Sequence, residues 1–207
     1  MDSPMTISRR TFLSSALAST LLMNGKAFAN NGEPFPINMK EGDSLDYKFR
    51  RRDMAYQTNE PPGTLVVDPR QGFLYHVLGG GMSTRYGVSV GHGATAWSGE
   101  AIIKKMTAWP NWIPAPYHLQ RDPKLAKYLP EGMPGGPDNP LGARAMYLYK
   151  GDVDTINRIH GGAKPEQIGQ HATAGCIGML NADVVHLYSQ VQIGTRVVML
   201  AKSGFFG

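Results

Sequence analysis

Short segments with strand-like alternation follow one another closely along residues 64–200, and each is followed within a few residues by a glycine or a proline. The 25 glycines and 15 prolines of the chain set turns at short intervals. This spacing favours a sandwich-like β fold over a parallel sheet with crossover helices. We therefore predict a mainly β domain with one or two short helices and with strands at 64–68, 73–78, 84–90, 102–106, 145–149, 155–159 and 195–200.

Three segments fall outside this pattern. Residues 181–192 carry an apolar stripe at helical spacing, which predicts one short helix with Asn181 as its N-cap and Gly194 as its stop. Residues 107–142 hold Trp109, Trp112 and eight prolines, and a connection this long in a compact domain is usually functional. We expect this Pro/Trp-rich loop to border the functional cleft, where the tryptophans either face a ligand or fix the loop to the core. Residues 30–60 form an arm to which the sequence assigns no structure.

The N-terminal segment has the form of a cleavable export signal. Arg9 and Arg10 precede an uncharged run over 11–23, and alanines at 27 and 29 give the pattern that signal peptidase cleaves. The run is too short to span a hydrocarbon core of about 30 Å, so we expect no membrane span once it is removed. Because the stretch SRRTFL also resembles the twin-arginine export signal, we predict a signal peptide at 1–29 and a periplasmic mature chain whose main domain covers 61–207.

The charge of the chain excludes some partners. The net charge is +5, and residues 1–29 hold three positive charges and one negative charge, which leaves +3 for the rest. This mild basicity suits an anionic surface such as the cell wall, and no basic cluster interleaved with aromatics points to nucleic acid. His171 and His186 are unevenly spaced from His160 and Cys176, so we predict no metal site. The oligomeric state stays open.

Cys176 is the only cysteine, so no disulfide forms within the chain. An exported thiol is exposed to oxidation, and three interpretations compete. Cys176 is a buried apolar filler, a partner for a cysteine of another chain, or a nucleophile. The neighbouring sequence decides among them.

The residues around Cys176 match the needs of a reactive thiol. Such a thiol requires an imidazole or a positive field that favours the thiolate, and His160 stands at a predicted strand end, with fifteen residues between it and the cysteine. Gly175 allows a tight turn that exposes the backbone N–H groups of Gly175 and Cys176. Two such donors would form an oxyanion hole, in which each contributes about 3 to 4 kcal/mol.

Several motifs now resemble one family, the L,D-transpeptidase catalytic domain, whose cysteine enzymes cross-link peptidoglycan. The similarity runs from about residue 61 to about residue 200. The His-Gly and Thr-x-Gly-Cys elements carry most of it, in this order and inside an exported chain. The motifs are Ile159-His160-Gly161, Ile168-Gly169, Thr173-x-Gly175-Cys176-Ile177-x-Met179, Asn181-x-Asp183-Val184 and Val191-x-x-Gly194-Thr195-x-Val197, with weaker matches at 61–68, 85–88 and 132–145.

The resemblance implies a role for each of these residues. Cys176 would be the nucleophile that attacks a carbonyl at an L-configured residue of a peptide stem, and His160 would be its base. Gly175 and Cys176 would supply the oxyanion donors, and an amine of a second stem would resolve the thioester without metal, nucleotide or other cofactor. The substrate-binding set that the resemblance suggests is Thr173, Gly161, Gly178 and Arg144.

Gly178 departs from the family pattern, which usually has an arginine after Cys-Ile. Such an arginine would favour the thiolate or hold a substrate carboxylate, a contact that contributes about 1.5 to 3 kcal/mol. Either Arg144 or Arg158 fills the same space, or the donor differs. In the second case the acyl donor would be the L-alanine at position one of the stem, giving a 1–3 link in place of the 3–3 link made through diaminopimelate.

Two other function classes fit the same residues. In a carboxypeptidase or endopeptidase, water would resolve the thioester, and in a wall-binding protein the site would have lost its activity through Gly178. The first needs the same thiol and imidazole as the transferase. The second predicts that the thiol can be removed without consequence for the cell wall.

Overall fold

The computed structural model describes residues 32–91, 98–171 and 175–201, so the predicted export signal lies outside the described residues. Within these ranges the chain forms ten strands, two α-helices and four short 3-10 turns. The helices are α1 (Pro116–Arg121) and α2 (Asn181–Tyr188). The strands are β1 (Arg52–Ala55), β2 (Leu65–Asp68), β3 (Phe73–Gly79), β4 (Met82–Gly87), β5 (Ser89–Val90), β6 (Gly99–Ala108), β7 (Arg144–Lys150), β8 (Val153–His160), β9 (Ile177–Gly178) and β10 (Arg196–Met199). The 3-10 turns are Glu41–Ser44, Tyr47–Phe49, Pro123–Tyr128 and Pro165–Gln167.

The ten strands join in one sheet in the order β1-β4-β3-β2-β10-β6-β7-β8-β9-β5. Only Val88 separates β4 from β5, yet these strands lie near opposite ends of that order. The sheet must therefore curl until its two halves face each other, which produces the sandwich-like shape. Between the halves lies the main core, to which β2, β3 and β4 contribute Leu65, Leu74 and Tyr86, and β6 to β9 contribute Ile103, Met146, Ile159 and Ile177.

The mainly β prediction is confirmed. Each predicted strand has a counterpart, with one change: residues 84–90 form two strands, because the backbone of Val88 bonds to Gly72 and Gly169 instead of a neighbouring strand. The sequence pattern does not predict β1 or β9. β1 lies in the arm, and β9 has only two residues, too few for an alternating pattern to be visible.

The predicted helix at 181–192 is α2, which ends earlier, at Tyr188. The prediction that Asn181 caps it is wrong. Asn181 Oδ1 instead accepts hydrogen bonds from the backbone N–H groups of Ala143 (2.9 Å) and Gly162 (3.1 Å). The N–H of Ala182, in the first turn of α2, donates to Glu41 Oε1 at 2.6 Å. The arm therefore supplies the cap that the helix's own sequence lacks.

Removing this cap is expected to destabilise the fold. Glu41→Ala leaves the Ala182 N–H without its acceptor, and loss of an N-terminal cap costs about 1 to 2 kcal/mol in the free energy of unfolding. The control is Asp43→Ala, on the same 3-10 turn, which should change that free energy by less than about 0.5 kcal/mol, as for most surface substitutions. Urea unfolding measures both. Equal effects of the two substitutions would contradict the capping role.

No helix in the described part of the chain is long and apolar enough to cross a membrane.

Candidate active site

His160 and Cys176 lie on neighbouring strands. β8 and β9 pair in parallel, with Ile159 opposite Ile177 and His160 opposite Gly178. Ile159 and Ile177 both point into the main core. Because side chains alternate along a strand, His160 therefore projects from the other face, and Cys176, one residue before Ile177, leaves the chain on that same side. His160 and Cys176 line one cavity.

The His160 ring is buried and held in one tautomer. Its Nδ1 lies 2.7 Å from the carbonyl oxygen of Gly161, and a carbonyl can only accept, so Nδ1 carries the proton and Nε2 keeps its lone pair. Burial lowers the pKa of His160 to about 4, and the Gly161 hydrogen bond opposes that shift only in part. At neutral pH the imidazole is uncharged and able to accept a proton at Nε2.

The Cys176 side chain is partly exposed at the cavity wall. Burial raises the pKa of its thiol above the ordinary value of 9.0, while a hydrogen bond from the Arg158 backbone and the charge of Arg158 act in the opposite direction. A raised thiol pKa and a lowered imidazole pKa together favour the neutral pair, thiol and imidazole, over the thiolate–imidazolium pair.

Arg158 is brought to the thiol by an irregularity in β8. The register with β7 shifts so that Tyr147 pairs with Arg158 and Tyr149 with Asp154, and Ile156 takes φ +63°, a rare conformation for a β-branched residue. The bulge lets the Arg158 guanidinium donate to both carboxylate oxygens of Asp154, at 2.7 and 2.8 Å. The Arg158 guanidinium carbon also lies 4.4 Å from the centre of the Tyr147 ring. Arg158 is therefore a fixed cation at the wall of the Cys176 site.

The Pro/Trp-rich loop borders the cleft on this face, as the sequence predicts. Two cavities meet at Cys176, one of about 560 Å³ and one of about 230 Å³. Trp112, Tyr117 and His118 of the loop line both. Arg158 lines only the larger cavity, and His160 only the smaller. Burial and the electrostatic effect of Cys176 both raise the pKa of Tyr117, and Tyr117 shares both cavities with the thiol.

The two tryptophans of the loop have different environments. Trp112 lines the cavities, whereas Trp109 Nε1 donates to Glu33 at 2.7 Å and its ring packs against Phe35 at 4.9 Å between centroids. Glu33 also forms an ion pair with Arg144. Each of the two expected roles therefore applies to one tryptophan: Trp112 faces the cleft, and Trp109 fixes the base of the loop to the arm.

Arg144, predicted to bind substrate, does not reach the cavities. Its guanidinium is held by Glu33 and lies 5.3 Å from the centre of the Tyr188 ring. The physical reason is the arm, which supplies a carboxylate that the local sequence around Arg144 does not reveal. Of the two arginines considered as replacements for the missing one, the structure brings Arg158 to Cys176 and leaves Arg144 elsewhere.

The remaining predicted site residues are glycines and Thr173. Gly175 lines the larger cavity beside Cys176, and Gly178 faces His160 across β8 and β9 without a side chain. Gly161 holds His160 through its carbonyl, and a Cβ at that position would collide with Asn181 and Val184. Glycine is therefore required at position 161 because no space is left for a side chain. Thr173 lies outside the described residues.

The sequence does not single out Tyr117, His118 and Arg121, which line the smaller cavity. They carry no motif, and their only signal was membership of a long loop expected near the cleft. Among the described residues, no group of three His, Cys, Asp or Glu side chains is arranged to hold a metal ion.

A family model and several known proteins match the sequence of this chain. A family model described as the YkuD L,D-transpeptidase catalytic domain matches residues 62–199. The "Probable L,D-transpeptidase ErfK/SrfK" of Escherichia coli K12 is 35% identical over 98 residues, which are 47% of this chain and 30% of that protein. The "Probable L,D-transpeptidase YcfS" of the same strain is 30% identical over 156 residues, 66% of this chain and 46% of that protein. The matched part of this chain therefore spans less than half of each of these relatives.

Solved structures are similar in fold. A crystal structure from Brucella melitensis, named a "Probable carnitine operon oxidoreductase caia", is 44% identical with a TM-score of 0.52, over 79% of this chain and 100% of that chain. The Ldtfm–avibactam carbamoyl enzyme is 15% identical with a TM-score of 0.51, over 70% of this chain and 51% of that one, and at this identity it shows the fold alone. Because the family model extends over more than half of the sequence, the chain belongs to the L,D-transpeptidase catalytic domain family.

Proposed function

We propose that this protein is a peptidoglycan L,D-transpeptidase that carries an acyl group on Cys176. The single observation that supports the proposal most is the convergence of Cys176 and His160, from adjacent strands, on one cavity under a loop. Sγ attacks the carbonyl at an L-configured residue of the donor stem and forms a thioester, and the fragment that begins with the D-residue leaves as an amine. An amine of an acceptor stem then attacks the thioester and releases the thiol.

His160 moves the protons in this scheme. Its Nε2 takes the thiol proton as Sγ attacks and passes it to the leaving amine, and it then takes a proton from the entering amine and returns it to sulfur. The backbone N–H groups of Gly175 and Cys176 stabilise the oxyanion, the carbonyl of Gly161 holds the His160 ring, and we assign Thr173 a part in substrate binding. The peptide bond that breaks supplies the energy for the one that forms, so no cofactor or metal takes part.

The two cavities at Cys176 fit the two sides of the bond that breaks, the acyl side and the amine side, and both a transferase and a hydrolase need them. The leaving and entering amines occupy the same side of the thioester, since one step is chemically the reverse of the other, and both must reach His160. We therefore place the amine side in the smaller cavity, which His160 lines, and the acyl side in the larger one.

The donor junction is a second part of the proposal. Gly178 places no cation on β9, and Arg158, the arginine beside the thiol, is bound by Asp154. A donor that needs no strong carboxylate contact at this position fits that arrangement. We propose the L-alanine at position one of the stem as the donor, which gives 1–3 links. Mass spectrometry of the cross-linked fragments tests this, because dimers whose donor stem still extends to diaminopimelate exclude the alanine route.

The test of the proposed function is muropeptide analysis after incubation of purified sacculi with the enzyme. Because Cys176 is the only cysteine, enzyme alkylated with iodoacetamide is a matched control modified at one known thiol. We expect new cross-linked dimers with the untreated enzyme alone, and a mass adduct on Cys176 after incubation with a carbapenem. Shortened monomers without dimers would indicate a hydrolase, and unchanged sacculi without an adduct would indicate a wall-binding protein.

The site of action follows from the substrate. Peptidoglycan lies outside the inner membrane, so we propose that the chain acts in the periplasm and that residues 1–29 direct it there by the twin-arginine route. Replacing Arg9 and Arg10 with lysine should then retain the precursor in the cytoplasm, as measured by cell fractionation.

A further inference from the structure

His118 and Arg121 extend from helix α1 into the smaller cavity. They are three residues apart in the helix, a spacing that brings two side chains to one face. Both line the cavity that also holds His160 and Cys176. Neither residue has a part in the proton transfers described above. Because both are polar and line the cavity, we ask which chemical group of a substrate they could bind.

The His118 ring is held in the tautomer opposite to that of His160. The backbone N–H of Ala115 donates to His118 Nδ1 at 3.0 Å, so the proton of the neutral ring is on Nε2. Tyr117 and Trp112 fix the ring plane, with centroids 3.9 and 4.8 Å away. His160 therefore offers a proton acceptor at the smaller cavity, whereas His118 offers a donor.

Arg121 adds a permanent positive charge to the same wall. It is exposed at the rim and forms no ion pair with any carboxylate in the described ranges. Burial and the charge of Arg121 both lower the pKa of His118, which favours the neutral ring at pH 7, and both side chains line the same cavity. An arginine without a carboxylate partner, beside a fixed N–H donor, is suited to bind an anion with oxygen atoms.

We propose that His118 Nε2–H and the Arg121 guanidinium bind the carboxylate of the acceptor, and that the acceptor is an amine with a carboxylate on the same carbon. This inference rests on the proposed function. The D-centre of diaminopimelate in a peptide stem has this chemistry. Its carboxylate would lie against α1 while its amine faces His160 Nε2 and the thioester, so one cavity fixes both the identity and the orientation of the nucleophile.

Acceptor selectivity tests the assignment. Two acceptor stems are compared with one donor: the first has a free carboxylate beside the diaminopimelate amine, and in the second that carboxylate is amidated. We expect the wild type to favour the free carboxylate by about 10- to 100-fold in kcat/KM for the acceptor, the range for a charge-assisted hydrogen bond. The ratio is internal to each variant, so a general loss of activity does not change it.

Four variants separate the contributions. His118→Asn keeps an acceptor for the Ala115 N–H but removes the Nε2 donor, and Arg121→Gln removes the charge; each should reduce the preference about 10-fold, mainly through KM. His118→Gln keeps a donor near the Nε2 position and should retain most of the preference. Lys48→Gln, which removes an exposed charge on the arm, is the control and should leave the ratio unchanged.

The outcomes distinguish this inference from the proposed function. A preference that falls in His118→Asn and Arg121→Gln but not in Lys48→Gln supports it. A wild type that uses both acceptors equally, or variants that keep the full preference, overturn the carboxylate site and leave the transferase intact. A wild type that transfers the acyl group to neither amine overturns both.

Discussion

Cys176→Ala is expected to abolish acyl transfer, with a fall of at least about 10⁴-fold in kcat/KM for the donor, as for the removal of a nucleophile from other acyl-transfer enzymes. The covalent intermediate cannot form without the sulfur. The remaining site still offers His160 and the oxyanion donors, but water in the cavity is a far weaker nucleophile. Dimers in digested sacculi and the mass of the protein after incubation with a donor stem measure the effect.

Cys176→Ser is the matched variant for size. Its hydroxyl has a much higher pKa than the thiol, and the neutral His160 that faces it is a weak base, with its pKa lowered to about 4. We expect serine to restore less than about 1% of the activity, because nucleophile and base would then both be poor. The free energy of unfolding of both variants should lie within about 1 to 2 kcal/mol of the wild-type value, since only a small, partly exposed side chain changes. Cross-links that persist at wild-type levels in Cys176→Ala would exclude the acyl-enzyme.

The features predictable from the sequence were those encoded within a few residues. Alternation over 145–149 and 155–159 predicted β7 and β8. The His-Gly element at the end of β8 and the Gly-Cys element just before β9 identified the two side chains that the structure brings to one cavity. Parallel pairing of β8 with β9 could not be predicted, because a strand of two residues has no period. It is nevertheless the pairing that sets the geometry of the site.

The features that could not be predicted depend on partners distant in the chain. Glu33 and Arg144 are 111 residues apart, and Glu41 and Ala182 are 141 apart. Nothing local marks Glu41 as the acceptor for α2, or Glu33 as the carboxylate that removes Arg144 from the cleft. His118 could not be predicted for a different reason: its partner Ala115 is only three residues away, but no sequence motif reveals the backbone hydrogen bond that sets its tautomer.

His160→Gln is expected to lower the rate of Cys176 acylation by about 10²- to 10⁴-fold, the range for loss of a general base. Glutamine fills much of the same volume and can bond to its surroundings, but its amide accepts no proton at neutral pH. The thiol, whose pKa burial raises above 9.0, would then react only through its small thiolate fraction.

The pH dependence of the acylation rate tests whether His160 acts as the neutral base. The pKa of His160 is lowered to about 4, so the neutral base is present above that pH and is lost as the pH falls through it. The wild-type rate should therefore stay level from about pH 5 towards the thiol pKa and fall near pH 4; this fall is the acid limb of the profile.

Two variants test whether His160 causes the acid limb. In His160→Gln the acid limb should vanish, and the rate should rise with pH until the thiol ionises. His186→Asn, which changes a histidine outside both cavities, should retain the wild-type limb. A wild-type limb near 6.5, the ordinary histidine value, would instead mean that the catalytic imidazole is solvated during the reaction, which would contradict the buried neutral pair on which the mechanism depends.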